Sequence, residues 1–119
     1  MRGILKPLDL ARRLATVAED KGATDTLILD LREVGGFTDF FVICSGANDR
    51  QARAIADHLR QQLKAEGIVP RGVAGEREGT WILLDYLDAV VHVFTPAARE
   101  FYGLEELWGD VPEIEVAAG

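Results

Sequence analysis

Apolar positions along the chain change period several times, and each change marks an element. In LDLARRLATVAEDKG, residues 8 to 22, Leu10, Leu14, Val17 and Ala18 recur at helical spacing, with Asp9 placed to cap the start and Gly22 to stop the element. DTLILDL, residues 25 to 31, has no helical period and is bounded by charges, which predicts a buried strand. REVGGFT then turns the chain, Gly35 and Gly36 permitting positive φ, and DFFVICSG supplies a second strand. The short connection between these strands predicts antiparallel pairing.

The helical period returns in NDRQARAIADHLRQQLKAEG, where Ala52, Ile55, Ala56, Leu59 and Leu63 form one stripe between the N-cap Asn48 and the terminating Gly67. IVPRGV, residues 68 to 73, reads as a short strand whose Pro70 lacks a backbone donor and so suits a sheet edge. Strand, helix and strand in that order predict a right-handed crossover and a parallel pair. GEREG is a loop. TWILLDY and AVVHVF follow as a fourth and a fifth strand, joined through Leu87 and Asp88 as a hairpin. Thr95 before Pro96 starts a last helix, its hydroxyl expected to accept from the backbone; AAREFYGLEELW continues it, with a break at Gly103. The tail VPEIEVAAG is predicted to fray.

This order of elements predicts one α/β domain over residues 1–119, with a core from about 8 to 109 and a frayed tail from 110 to 119. A mixed five-stranded sheet carries flanking helices. Composition agrees: 119 residues at 48% hydrophobic suffice for one core and not for two. No apolar run reaches eighteen residues, and MRGILKPLDLARR interrupts any signal-peptide pattern with charge and proline, which predicts a soluble, cytoplasmic protein. Cys44, inside FFVICS, has no second cysteine to pair with and reads as a buried, inert thiol.

Charge changes the picture more than composition does. Residues 1 to 84 hold 12 acidic and 12 basic side chains, whereas residues 85 to 119 hold 8 acidic groups against Arg99 alone. The whole net charge of −7 therefore sits in the last third. Such a surface repels a phosphate backbone and attracts a basic partner, although an acidic tail also serves solubility alone.

Reactive chemistry finds little support. SGANDRQ places one glycine between a strand and a helix N-terminus, without the repeated glycines of a dinucleotide loop or the lysine of a P-loop, so a structural turn is the better reading. The Ser45–Gly46 opening is also similar to that of nucleotidyltransferases, which need paired carboxylates on a following strand to hold magnesium. Here Asp49 and Asp57 fall on a helix, and Asp85 and Asp88 are three apart across a turn. His92, on the face of Val90 and Phe94, and His58, on the long helix, have no partner that spacing identifies; a hydrogen-bonded structural imidazole is the reading favoured for His92. Arg50, Arg53, Arg60 and Lys64 form a solvated helix face with Arg53 and Asp57 paired four apart, and are also the one local basic cluster that could meet RNA.

Strand phase in TWILLDY carries more. Period two puts Trp81, Leu83 and Asp85 on one side and Ile82, Leu84 and Tyr86 on the other. If Ile82 and Leu84 face the core, a tryptophan and a leucine face outward beside an acid, which describes a protein-binding patch. If helices cover both faces, the same residues are core.

TDFFVICSGANDRQARAIADHL, WILLDYLDAVVHVF and REFYGLEELW, in this order and spacing, resemble the ribosomal silencing factors, also called the iojap-like family, from about Leu10 to Trp108. The chain departs at Leu87 and Ala89, where the family has glycine and valine, and at Gly103, where it has a longer residue; Leu87 implies a different hairpin turn. The resemblance implies a nucleotidyltransferase-like fold without the catalytic carboxylates and a translational repressor rather than an enzyme, with no cofactor, metal or small-molecule substrate. It implies binding to the large ribosomal subunit through its ribosomal protein numbered fourteen, which blocks joining of the small subunit, with a homodimer when free and minor ribosomal RNA contact. Trp81 and Leu83 are then the expected anchors, with Asp85, Asp88 and Glu78 facing basic side chains. Arg99, Phe101, Tyr102, Leu104, Leu107 and Trp108 are expected to pack the last helix on the sheet, Trp108 also standing at a dimer seam. The alternatives are a nucleotidyltransferase-like enzyme with a rearranged acidic pair and an RNA-binding module built on the arginine-bearing helix.

Overall fold

A computed structural model describes residues 5–117, so the first four residues and the last two of the tail lie outside the described part. The elements are α1 (Pro7–Asp20), β1 (Thr24–Asp30), β2 (Phe40–Ser45), α2 (Asp49–Ala65), β3 (Gly72–Ala74), β4 (Trp81–Asp85), β5 (Ala89–Phe94), α3 (Pro96–Tyr102), α4 (Leu104–Leu107) and β6 (Glu113–Ile114). The strands form one mixed sheet in the order β3-β4-β5-β2-β1-β6. The α/β class and flanking helices are as expected, with six strands in place of five.

Local chemistry sets most boundaries. Asn48 caps α2: its Oδ1 accepts from the Gln51 N–H at 2.8 Å, while the Gln51 side chain accepts from the Ala47 N–H at 2.7 Å. Gly46 lets β2 pass directly beneath α2, because a Cβ there would lie 2.8 Å from the Ala52 nitrogen. Two capping expectations fail. Helix α1 begins one turn earlier, with Lys6 at the cap and Pro7 at its first position, which leaves Asp9 in the first turn, where its charge suits the dipole. Thr95 does hold the α3 cap position before Pro96, but its side chain makes no cap hydrogen bond.

Burial explains the strand order. All six residues of β2 and of β5 are buried, so these strands take the centre and pair in parallel, Phe40 with Ala89 through to Ser45 with Phe94. The parallel pair predicted for the strands on either side of α2 is therefore wrong. Helix α2 carries the chain past the β4–β5 hairpin to the far edge, where three-residue β3 pairs antiparallel with β4. Pro70, expected within a strand over residues 68 to 73, lies two residues before this edge strand, outside the ladder its missing donor could not join. The tail is also not wholly frayed: β6 pairs with β1 through Ile28–Ile114 and Leu29–Glu113, and Ile114 and Val116 pack against the core.

Two layers result. Helices α1 and α2 cover one face, where Leu14, Ile28, Phe40, Val42, Leu59, Ile82, Leu84 and Val93 form the main core. Each fully buried leucine there contributes about 2 kcal/mol. Cys44 lies in this core with its thiol pushed up to about 12 by burial. The other face holds Leu29, Phe41, Ile43, Val90 and Phe94, covered in part by Ala98, Leu104, Trp108 and Val111 from the C-terminal segment. Among the described residues no helix is long and apolar enough to cross a membrane.

Candidate functional site

Ile82 and Leu84 are buried against the main core, which sends Trp81, Leu83 and Asp85 to the opposite, outer face; all three are half-buried. The antiparallel register sets Trp81 opposite Phe94 and Leu83 opposite His92, so that Trp81 and His92 are diagonal neighbours. The Trp81 Nε1–H donates to His92 Nδ1 at 3.0 Å, and the indole stacks on Phe94 with ring centres 4.9 Å apart. His92 in turn meets Phe41 edge-on at 4.6 Å, and Phe41 meets Phe37 at 6.0 Å and Trp108 at 5.8 Å. On the other side Trp81 contacts Tyr102 at 4.7 Å, and Tyr102 contacts Phe101 at 5.0 Å.

A continuous aromatic series thus crosses the outer face, buried in the middle and open at both ends. Phe37 is 61% exposed and Phe101 80%. Leu107, 77% exposed, stands on the same C-terminal segment as Phe101. This corrects the sequence reading of the last helix: Leu104, Trp108 and Arg99 do pack, whereas Phe101, Tyr102 and Leu107 face solvent. Gly103, at φ 54°, splits the segment into α3 and α4 and restarts the helical phase, so one stripe could not be read across it. Neither short helix buries a whole residue.

Electrostatics follow the same boundary. Arg99, the only basic residue after position 84, is turned inward: it pairs with Glu105 at 2.7 Å and donates to Ser45 Oγ at 2.8 Å. Glu100, Glu106 and Asp110 remain exposed around the open segment. The cleft beside Ser45, about 320 Å³, is lined by Asp25, Glu100, Glu105 and Glu106 around an arginine already paired, a field that disfavours a triphosphate. Asp49 is paired with Arg53 at 3.0 Å. Among the described residues no three His, Cys, Asp or Glu side chains are grouped to hold a metal ion.

The five residues expected to meet a partner do not form one cluster. Trp81 opens β4 and Leu83 is at its middle. Asp85 is at the far end of β4 with both oxygens engaged, one by the Arg71 Nε–H at 3.0 Å and the other by the Leu87 N–H at 2.8 Å. Asp88 follows in the hairpin turn, where its carbonyl accepts from the Asp39 and Phe40 N–H groups. Glu78 precedes β4 at the opposite end, its carbonyl accepting from Arg53. The acids therefore lie at the two ends of β4, Glu78 before it and Asp85 and Asp88 at its far end.

Two of the four basic residues on the face of α2, Arg53 and Arg60, are engaged within the fold. Arg53 pairs with Asp49 rather than with Asp57, and donates to the carbonyls of Glu76, Arg77 and Glu78. Arg60 pairs with Glu76 at 2.8 Å. His92, read from sequence as a structural imidazole, does hydrogen bond at Nδ1, but its buried Nε2 finds no partner among the described residues. Burial pushes its pKa down to about 4, so it is neutral at pH 7. The Trp81–His92 pair went unread, although a hairpin turning at residues 86 to 88 aligns 83 with 92 and 81 with 94 by counting alone.

The domain is a mixed α/β fold with one sheet face closed by two helices and one aromatic face left partly open. The chain belongs to the ribosomal silencing factor family: residues 5–118 match the family described as ribosomal silencing factor during starvation. It is 40% identical over 105 residues to the ribosomal silencing factor RsfS of Bacillus subtilis, covering 88% of this chain and 89% of that one. A solved structure of a protein from Chromobacterium violaceum superposes with a TM-score of 0.85 at 30% identity, over 97% of this chain and 95% of that one. More distantly, the chain is 29% identical to mouse mitochondrial assembly of ribosomal large subunit protein 1, over 80% of this chain and 43% of the mouse protein. Family membership gives the chain a ribosome-associated silencing role.

Proposed function

We propose that the chain represses translation by seating its outer face on the large ribosomal subunit, at the ribosomal protein numbered fourteen, where it stands in the way of the small subunit. The observation that carries this reading is the half-covered aromatic row, exposed at Phe37 and Phe101, beside a C-terminal segment that bears the exposed acids Glu100, Glu106 and Asp110. Hydrophobic anchors with an acidic rim suit a basic protein surface, and tryptophan is a frequent anchor because it buries much area at small entropic cost. The name of the mouse relative, which refers to assembly of the large subunit, supports the choice of subunit.

In this reading Trp81 and Leu83 are anchors, extended by Tyr102, Phe101 and Leu107, while Glu78 and Asp88 steer basic side chains at the two ends. Asp85 acts through its pair with Arg71 and fixes the hairpin. Repression is steric and cytoplasmic, breaks no bond and uses no cofactor; a homodimer of the free protein and a minor ribosomal RNA contact belong to the same reading. The test is sucrose-gradient sedimentation of the purified protein with separated subunits. Migration with the large subunit and a loss of joined particles are expected; migration with the small subunit, or with neither, overturns the proposal.

A further inference from the structure

The outer face holds one polar group that packing does not explain. His92 is 3% exposed and lies among Phe41, Trp81 and Phe94. Since Nδ1 accepts from the Trp81 indole, the neutral ring carries its proton on Nε2, and that buried donor has no partner among the described residues. An unpaired buried donor destabilises a fold, and an apolar ring at this position would remove it. What the imidazole supplies that a hydrocarbon ring cannot is an acceptor at Nδ1.

The indole needs that acceptor. Its stacking on Phe94 fixes the plane it rests on, but stacking tolerates sliding and rotation within the plane. Its other aromatic neighbour, Tyr102, is half-exposed on a helix that buries no residue whole, and so constrains it weakly. The 3.0 Å bond to His92 is the directional contact that sets the in-plane orientation. We propose that His92 is a positioning residue: through Nδ1 it holds the Trp81 ring in the orientation that docks on the ribosomal partner. This rests on the docking reading above and adds a specific role to it. Desolvation favours the neutral imidazole, so the acceptor persists at physiological pH.

The test compares His92→Phe with His92→Gln, whose carbonyl can accept in place of Nδ1. Two quantities are read: binding to purified large subunits by sedimentation, and the Trp81 indole N–H resonance in ¹⁵N spectra, assigned from a Trp108→Phe sample. His92→Phe is expected to move the indole resonance away from its hydrogen-bonded position and to weaken binding about fivefold, the worth of one neutral hydrogen bond. His92→Gln should bring both back toward the parent. Unchanged binding with a displaced resonance overturns the proposal, as does weakened binding in both variants with the resonance unmoved, which marks a structural role only. Should His92→Phe not fold, His92→Gln decides alone: a retained resonance with parental binding supports the role, and any other result overturns it. Trp81→Ala in the same assay separates the two levels. If it binds as the parent does, the docking reading itself fails; if it is weakened while His92→Phe is not, only the positioning role falls.

Discussion

The two faces of the sheet are built from the same strands and finished differently. On the inner face two helices of 14 and 17 residues present apolar stripes, and every large side chain from Leu14 to Val93 is out of water. On the outer face the cover is two helices of 7 and 4 residues, and two tryptophans, a tyrosine and two phenylalanines remain partly or mostly in solvent. A chain that closes one face completely has the means to close the other. Leaving aromatic area open forgoes the stability that its burial would give. The inner face is where the fold is held, and the outer face keeps aromatic area that a partner would bury if the docking proposal holds.

Perturbations should separate accordingly. Leu59→Ala on the inner face removes a fully buried side chain and should cost about 3 kcal/mol of unfolding free energy, read from urea titration, with affinity for subunits unchanged while the variant is folded. Acid should act mainly through the outer face. Above pH 6.5 the folded and unfolded chains are both neutral at His92, and stability is full; as pH falls toward about 4 the unfolded chain takes up a proton that the folded one refuses. The loss over that window should approach about 3 kcal/mol, and His92→Phe should flatten it. Parallel pH titrations of the two proteins would sink this account if their slopes coincide.

Trp81→Ala should act on both quantities, since Trp81 is half core and half surface. It should cost about 2 kcal/mol of stability and at least about 2 kcal/mol of subunit binding, measured by calorimetry and by sedimentation. The smallest effect belongs to the hairpin. Leu87 sits at φ 74° in a three-residue turn closed by the Asp88 N–H donating to the Tyr86 carbonyl, a conformation that favours glycine. Leu87→Gly relieves that strain but makes the unfolded chain more flexible, so thermal unfolding should show a gain of only about 0.5 kcal/mol.

Sequence pattern exposed the inner face almost entirely, because the stripe Ala52–Ile55–Leu59–Leu63 and the alternation Ile82–Leu84 are local statements that one core satisfies together. It was less able to assign neighbours. The crossover rule suggested a parallel partner for the strand after α2, but centrality went to AVVHVF, six buried residues apolar but for His92, and a three-residue strand could only take an edge. Residues 113 and 114 are too few to carry a period, and only tertiary contact with β1 makes them a strand. The outer face was half legible: phase placed Trp81 and Leu83 correctly, while Phe101 and Leu107 were misread because Gly103 resets the helix between them. Leu87 itself takes φ 74°, so the side chain that departs from glycine does not keep the turn out of a conformation glycine favours.

The central claim is that the open aromatic face is the docking surface. Its most direct test is the affinity of the double variant Phe101→Ser, Leu107→Ser for purified large ribosomal subunits, because both side chains stand mostly in solvent and support little of the fold. Binding weakened more than about tenfold, with the melting temperature within about 2 °C of the parent, is the predicted result. Parental affinity in a folded double variant would contradict it.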